Sequence, residues 1–142
     1  MFCDVIAQEQ EDKERIVVEN NHFTAFCPFV SRYSFECWIL PKKHTSDFAL
    51  ITDEEQFALS GILKDVLSWL KKCLSDPSYN FYLHIAPVNS GGAEARELLS
   101  HFHWHIEIVP KLTQTSGFEW GTGFYVVRTA PHLAAEYLRK II

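Results

Sequence analysis

The chain has 142 residues, 47% of them hydrophobic, 14% aromatic and 22% charged, a composition that closes one hydrophobic core and excludes a disordered or fibrous protein. Its formal net charge is −5, and its basic residues gather no further than Lys42-Lys43 and Lys71-Lys72, which excludes an extended contact with a nucleic-acid backbone. No stretch approaches the roughly 20 apolar residues of a membrane span, and the opening MFCDVIAQEQEDKER lacks the apolar core of a secretory signal, so a cytoplasmic chain without membrane or nucleic-acid partners is expected.

After that charged opening, RIVVEN (15–20) and HFTAFCPF (22–29) read as two strands around an Asn20-Asn21 turn, because asparagine tolerates turn conformations and the flanks are β-branched or aromatic. SFECWILP (34–41) is a third strand, ended by Pro41 and followed by the basic KKH of 42–44. The segment 52–77 opens with Thr52 and Glu55 at capping-box spacing and carries Ile62, Leu63, Val66, Leu70 and Leu74 on one helical face. YNFYLHIAP (79–87) returns to strand, and VNSGGAEARELLS is a connection into a further strand, HFHWHIEI (101–108). Beyond Pro110, the glycines of GFEWGTGFY (117–125) suggest loop or extended chain, and PHLAAEYLRKII begins a terminal helix with proline in its first turn. The four cysteines, Cys3, Cys27, Cys37 and Cys73, are widely separated in a chain with a sufficient core, so reduced thiols are expected.

The histidine strand carries the chemistry. Alternation on a strand sends His101, His103, His105 and Glu107 to one side and Phe102, Trp104, Ile106 and Ile108 to the other. Adjacent imidazoles then lie about 7 Å apart and the outer pair about 13 Å, so neighbouring histidines can share a metal ion but all three cannot. In the strand 79–87 the same alternation places His84 with Asn80 and Tyr82, in phase to join the row. Imidazole attacks phosphorus and shuttles protons, and it is also the commonest metal ligand, so both readings stand open. Glu36 and Glu107 could serve on the same face as acid, base or orienter.

HFHWHIEI, WILPKKH and Asn89 in APVNSGG resemble the histidine triad superfamily, in which a central histidine attacks the α-phosphorus of a nucleotide. The resemblance implies His103 as nucleophile, flanked by His101 and His105, with Asn89 and His105 contacting phosphate. RIVVENNHFTAFCPFVSRYSFECWILPKKH, LHIAP and HWHIEIVPKL are similar to the carboxy-terminal half of the galactose-1-phosphate uridylyltransferase family, which transfers a nucleotidyl group between a nucleotide sugar and a hexose 1-phosphate. That likeness implies a rival role for His84, His103 and His105 as ligands of zinc or iron. It also implies a second zinc site at Cys3, His44 and His101, Cys3 matching the second cysteine of a Cys-x-x-Cys pair. No organic cofactor is implied.

The expected fold is α+β, of histidine-triad type: a five- to six-stranded antiparallel sheet, one long helix from about residue 53 to 74 and a carboxy-terminal helix. It forms one domain over 1–142 or the carboxy-terminal half of a longer transferase. The leading reading is a nucleotidyl-transfer domain acting on a nucleotide-sugar or nucleotide substrate. A free-standing nucleotide hydrolase or phosphorylase using His103, and a non-catalytic metal-binding or dimerisation module, remain open. A homodimer, or pairing with a second half of similar fold, is expected in each case.

Overall fold

A computed structural model describes residues 2–87 and 99–141. Strands β1 (Ile16–Glu19), β2 (Phe23–Phe26), β3 (Cys37–Pro41), β4 (Tyr79–His84) and β5 (His105–Pro110) form one antiparallel sheet in the order β1-β2-β3-β5-β4. The first hairpin turns at Asn20, whose Oδ1 accepts from the backbone N–H of His22 and Phe23 at 2.9 and 2.8 Å. Its Nδ2 donates to the Ala58 carbonyl, so the residue that makes the turn also ties it to the long helix. Both faces of β2 are covered and all four of its residues are buried, whereas β4 is an edge strand with Tyr79, Phe81, Tyr82 and Leu83 exposed.

Helices α1 (Phe2–Asp12), α2 (Asp53–Cys73), α3 (Gly117–Thr122) and α4 (Pro131–Arg139) accompany the sheet. The capping box forms as expected at the start of α2, with Glu55 N–H donating to Thr52 Oγ1 and Thr52 N–H to the Glu55 carboxylate. The helix lays Leu59, Ile62, Val66, Trp69 and Leu70 on the sheet; Leu63 and Leu74 of the expected face are only partly buried. With Ala134, Ala135 and Leu138 of α4 they enclose Val17, Phe23, Ala25, Cys27, Cys37, Ile39, Ile106 and Ile108. Each large side chain there contributes about 1.5–3 kcal/mol by leaving water. Ser75 and Asp76, at φ of 59° and 58°, end α2 ahead of Pro77.

Two elements differ from the expected layout. The charged opening is helical: Phe2, Val5, Ile6 and Glu9 recur at helical spacing, and α1 packs Ile6 against Ile16, Phe26 and Leu40 on the other face of the sheet. Residues 117–122 are the short helix α3 rather than loop, because Ser116 and Glu119 make a second capping box; Gly123, at φ 74°, closes it in the left-handed conformation that glycine adopts without strain. Among the described residues no helix is long and apolar enough to cross a membrane.

Candidate functional site

β5 lies between β3 and β4, so its outward side chains meet residues from both neighbours beneath the first turn of α1. The ladder starts at His105, opposite His84, and sets Glu107 between Tyr82 and Trp38. Residues 102–104 precede it as irregular chain held along 41–45: Trp104 N–H donates to the Thr45 carbonyl at 3.0 Å, and His103 Nε2 donates to the Pro41 carbonyl at 2.8 Å. Trp104 still enters the core while His103 and His105 face α1, so the alternation of sides persists where the ladder does not.

The first cluster joins Cys3, His44 and His103. A carbonyl can only accept, so the bond to Pro41 places the proton of His103 on Nε2 and leaves Nδ1 as its lone-pair nitrogen. That nitrogen lies 3.6 Å from Cys3 Sγ, and His44 Nδ1 lies 3.3 Å from the same sulfur. A tetrahedral zinc ion with ordinary bond lengths separates a sulfur ligand from a nitrogen ligand by about 3.5 Å. The potential ligand atoms of the three residues all fall within 4.8 Å of one another, and this is the one such set of three or more among the described residues. Burial pushes the His103 imidazole below the ordinary histidine range, against the pull of its bond to Pro41. One thiol, two imidazoles and a carbonyl orienting one of the rings make a donor set suited to zinc, with three ligands among the described residues.

The second cluster lies beside the first on the same face. His84 and His105 stack with ring centroids 4.6 Å apart, 15° from parallel. His105 Nδ1 donates to the His103 carbonyl at 3.1 Å, which leaves Nε2 as its lone-pair nitrogen. His84 Nε2 meets the Glu107 carboxylate at 3.0 Å, and Arg32 binds the other oxygen of that buried carboxylate. Phe2 and Trp38 pack on His105 at 4.8 and 5.3 Å, and burial depresses its basicity. Beneath the Arg32 turn, the buried Glu36 carboxylate accepts from the N–H groups of Arg32 and Tyr33 and from Trp38 Nε1, a structural rather than a proton-transfer use.

Several expectations about the row change. His101 is helical and exposed, immediately before the irregular segment, so it is not on the strand, and the residue grouped with Cys3 and His44 is His103. His84, His103 and His105 do not form a common ligand set, since the free nitrogen of His103 points to Cys3 while His84 turns to Glu107. Asn89 lies outside the described residues. Arg32 carries no mark in the sequence: it lies 75 positions from Glu107, and no local spacing links them.

Comparison with known proteins gives these clusters a context. A sequence model of the family described as galactose-1-phosphate uridyl transferase, C-terminal domain, matches residues 1–121. ADP-glucose phosphorylase of Arabidopsis thaliana is 36% identical over 133 residues, which are 94% of this chain and 37% of that protein. Galactose-1-phosphate uridylyltransferase of Thermotoga maritima is 33% identical over 148 residues, 98% of this chain and 44% of that protein. The chain therefore spans less than half the length of these curated relatives. A crystal structure of the Arabidopsis ADP-glucose phosphorylase with bound ADP-glucose superposes at a TM-score of 0.86 and 35% identity, over 97% of this chain and 44% of that one. A zinc-bound histidine triad family protein from Mycobacterium smegmatis shares the fold at 16% identity and a TM-score of 0.57, over 99% of this chain and 93% of that one.

Proposed function

Because the chain belongs to the family of the galactose-1-phosphate uridyl transferase C-terminal domain, we propose that it serves nucleotidyl transfer on a nucleoside diphosphate hexose, as one half of a two-part transferase, and that His103 is a metal ligand rather than the attacking group. The observation that carries this is the engagement of both His103 nitrogens, Nε2 by the Pro41 carbonyl and Nδ1 by Cys3 beside His44. A nucleophile needs an open lone pair, and a ligated imidazole has none. Cys3, His44 and His103 would hold a zinc ion that fixes α1 and the end of β3 to the start of β5. In this role the ion orders the domain and supplies no chemistry to the substrate.

A second reading rests on His105. Its Nδ1 is tied to the His103 carbonyl, so among the described residues Nε2 is the imidazole nitrogen of the buried row whose lone pair meets no partner. In that reading Nε2 attacks the α-phosphorus, a phosphorus–nitrogen bond forms, and hexose 1-phosphate leaves with the electrons of the broken phosphoanhydride bond. Arg32 beside Glu107 would offer positive charge near the phosphate. The β4 edge, with Tyr79, Phe81, Tyr82 and Leu83 exposed and no lysine, arginine, aspartate or glutamate in the strand, would receive a second half or a second copy.

The test is to incubate the as-purified chain with α-labelled ADP-glucose or UDP-glucose, quench in alkali, and read retained label by intact mass alongside metal content. The expected result is stoichiometric zinc that is lost in His103→Ala but kept in His105→Ala. Any retained label should vanish in His105→Ala. Label lost only in His103→Ala, with zinc unchanged, would overturn the assignment.

A further inference from the structure

Cys27 and Cys37 take no part in either cluster, yet the sheet sets them against each other. The β2–β3 register ends with Phe26 opposite Trp38, and continued by one residue it sets Cys27 opposite Cys37. Phe26 packs toward α1, so alternation turns both cysteines to the opposite face, where both belong to the main core. Two backbone bonds define the kind of pair. Lys42 N–H donates to the His22 carbonyl, and counting along the ladder from there makes 27 and 37 a non-hydrogen-bonded pair. Cys27 N–H itself donates to the Arg15 carbonyl on the β1 side, away from β3, which says the same. At such positions opposing Cα atoms approach to about 4.5 Å, within the roughly 4.4–6.8 Å that a disulfide spans.

We propose that Cys27 and Cys37 form a reversible disulfide across β2 and β3, made by exchange with a small-molecule disulfide such as oxidised glutathione. One cysteine, as thiolate, attacks a glutathione sulfur; the glutathione S–S bond breaks, and one glutathione leaves as thiolate and takes up a proton. The second cysteine, as thiolate, then attacks the protein sulfur of the mixed disulfide and expels the other glutathione. Two protein thiols are oxidised and one glutathione disulfide is reduced to two thiols. The neighbouring Cys37 sulfhydryl and burial hold the Cys27 thiol well above the ordinary range, and the side chains are 1% and 0% exposed. Exchange therefore passes through opening of the loop 28–36, where Phe29 and Val30 stand 75% and 79% exposed. That loop carries Arg32 to Glu107, so closing it by a crosslink ties the redox state of the core to the histidine row.

The experiment equilibrates the native full chain in glutathione buffers from fully reduced to fully oxidised, quenches in acid, and alkylates the remaining thiols under denaturing conditions with N-ethylmaleimide. Trypsin separates Cys27, on the peptide 16–32, from Cys37, on 33–42. Expected is the loss of two alkylation sites at the oxidising end, these two peptides joined, and recovery of both sites in reducing buffer. In Cys27→Ser the joined pair is absent. The proposal is overturned if both thiols remain alkylated across the whole range, if the crosslink joins Cys3 or Cys73 instead, or if 16–32 and 33–42 join only after denaturant is added.

Discussion

His44→Ala gives the cleanest test of the proposed metal site. His44 is exposed, so truncating it leaves no cavity, whereas His103 is 1% exposed and its removal would also orphan the buried Pro41 carbonyl at a cost of about 1–3 kcal/mol. The sulfur-to-nitrogen separations of 3.3 and 3.6 Å sit either side of the roughly 3.5 Å a tetrahedral zinc site requires, so little rearrangement opposes binding. With free zinc at 100 to 1,000 times its dissociation constant, linkage adds about 2.7–4.1 kcal/mol to the folded state. For a domain of this size, at about 3 °C per kcal/mol, the thermal midpoint should fall by about 8–12 °C when zinc is stripped. Calorimetry of the wild-type chain with and without chelator, repeated on His44→Ala, reads the difference. The variant, with two ligands left, should melt near the stripped wild type and ignore added zinc. A wild-type midpoint unmoved by chelation, or a variant that keeps the whole shift, refutes the ligand set.

Other outcomes follow from particular contacts. Glu36→Ala leaves three backbone and indole donors without their acceptor, and urea unfolding should show a loss of about 3–5 kcal/mol, with Glu36→Gln losing less because one amide oxygen still accepts; a loss under about 1 kcal/mol would mean that water replaces the carboxylate. The backbone N–H of Thr52 holds Glu55 below its ordinary value of 4.5. That stabilisation is complete above the unfolded value and disappears as pH falls through the lowered folded one, so amide exchange at Thr52 should quicken there in the wild type and show no such step in Glu55→Ala. Leu83→Lys puts a charge on the open β4 edge and should lower the mass of any assembly seen by light scattering, while leaving circular dichroism unchanged; an unchanged mass would place the assembly surface elsewhere.

Much of the fold was readable because its signals are local. The Asn20 turn, the Thr52–Glu55 box and the period of two in 105–108 each identify one element, and each forms in the structure. The alternation from His101 predicts a strand four residues before the ladder begins: residues at every second position mark a strand only where a neighbour supplies the ladder, and here 99–101 are helical and 102–104 irregular. Cys3 and His44 lie together in the structure, and the residue beside them is His103, placed by its bond to Pro41 62 positions away, which no spacing encodes. The helix α1 carries a weak local signal because its few apolar residues stand among charges; its role becomes visible only beside the face it covers.

That helix is held unequally at its two ends. Near its carboxy-terminal end the buried Glu9 accepts from Arg15 at 2.8 and 2.9 Å, an anchor made of protein alone. At the amino-terminal end the holding residues are Phe2, resting on His105 and Trp38, and Cys3, facing His44 and His103. With an ion held by Cys3, His44 and His103, as proposed, the helix would be fixed by protein alone at one end and by protein and ion together at the other. Loss of that ion would then loosen the cover that Phe2 makes over His105 while leaving the Glu9–Arg15 end in place.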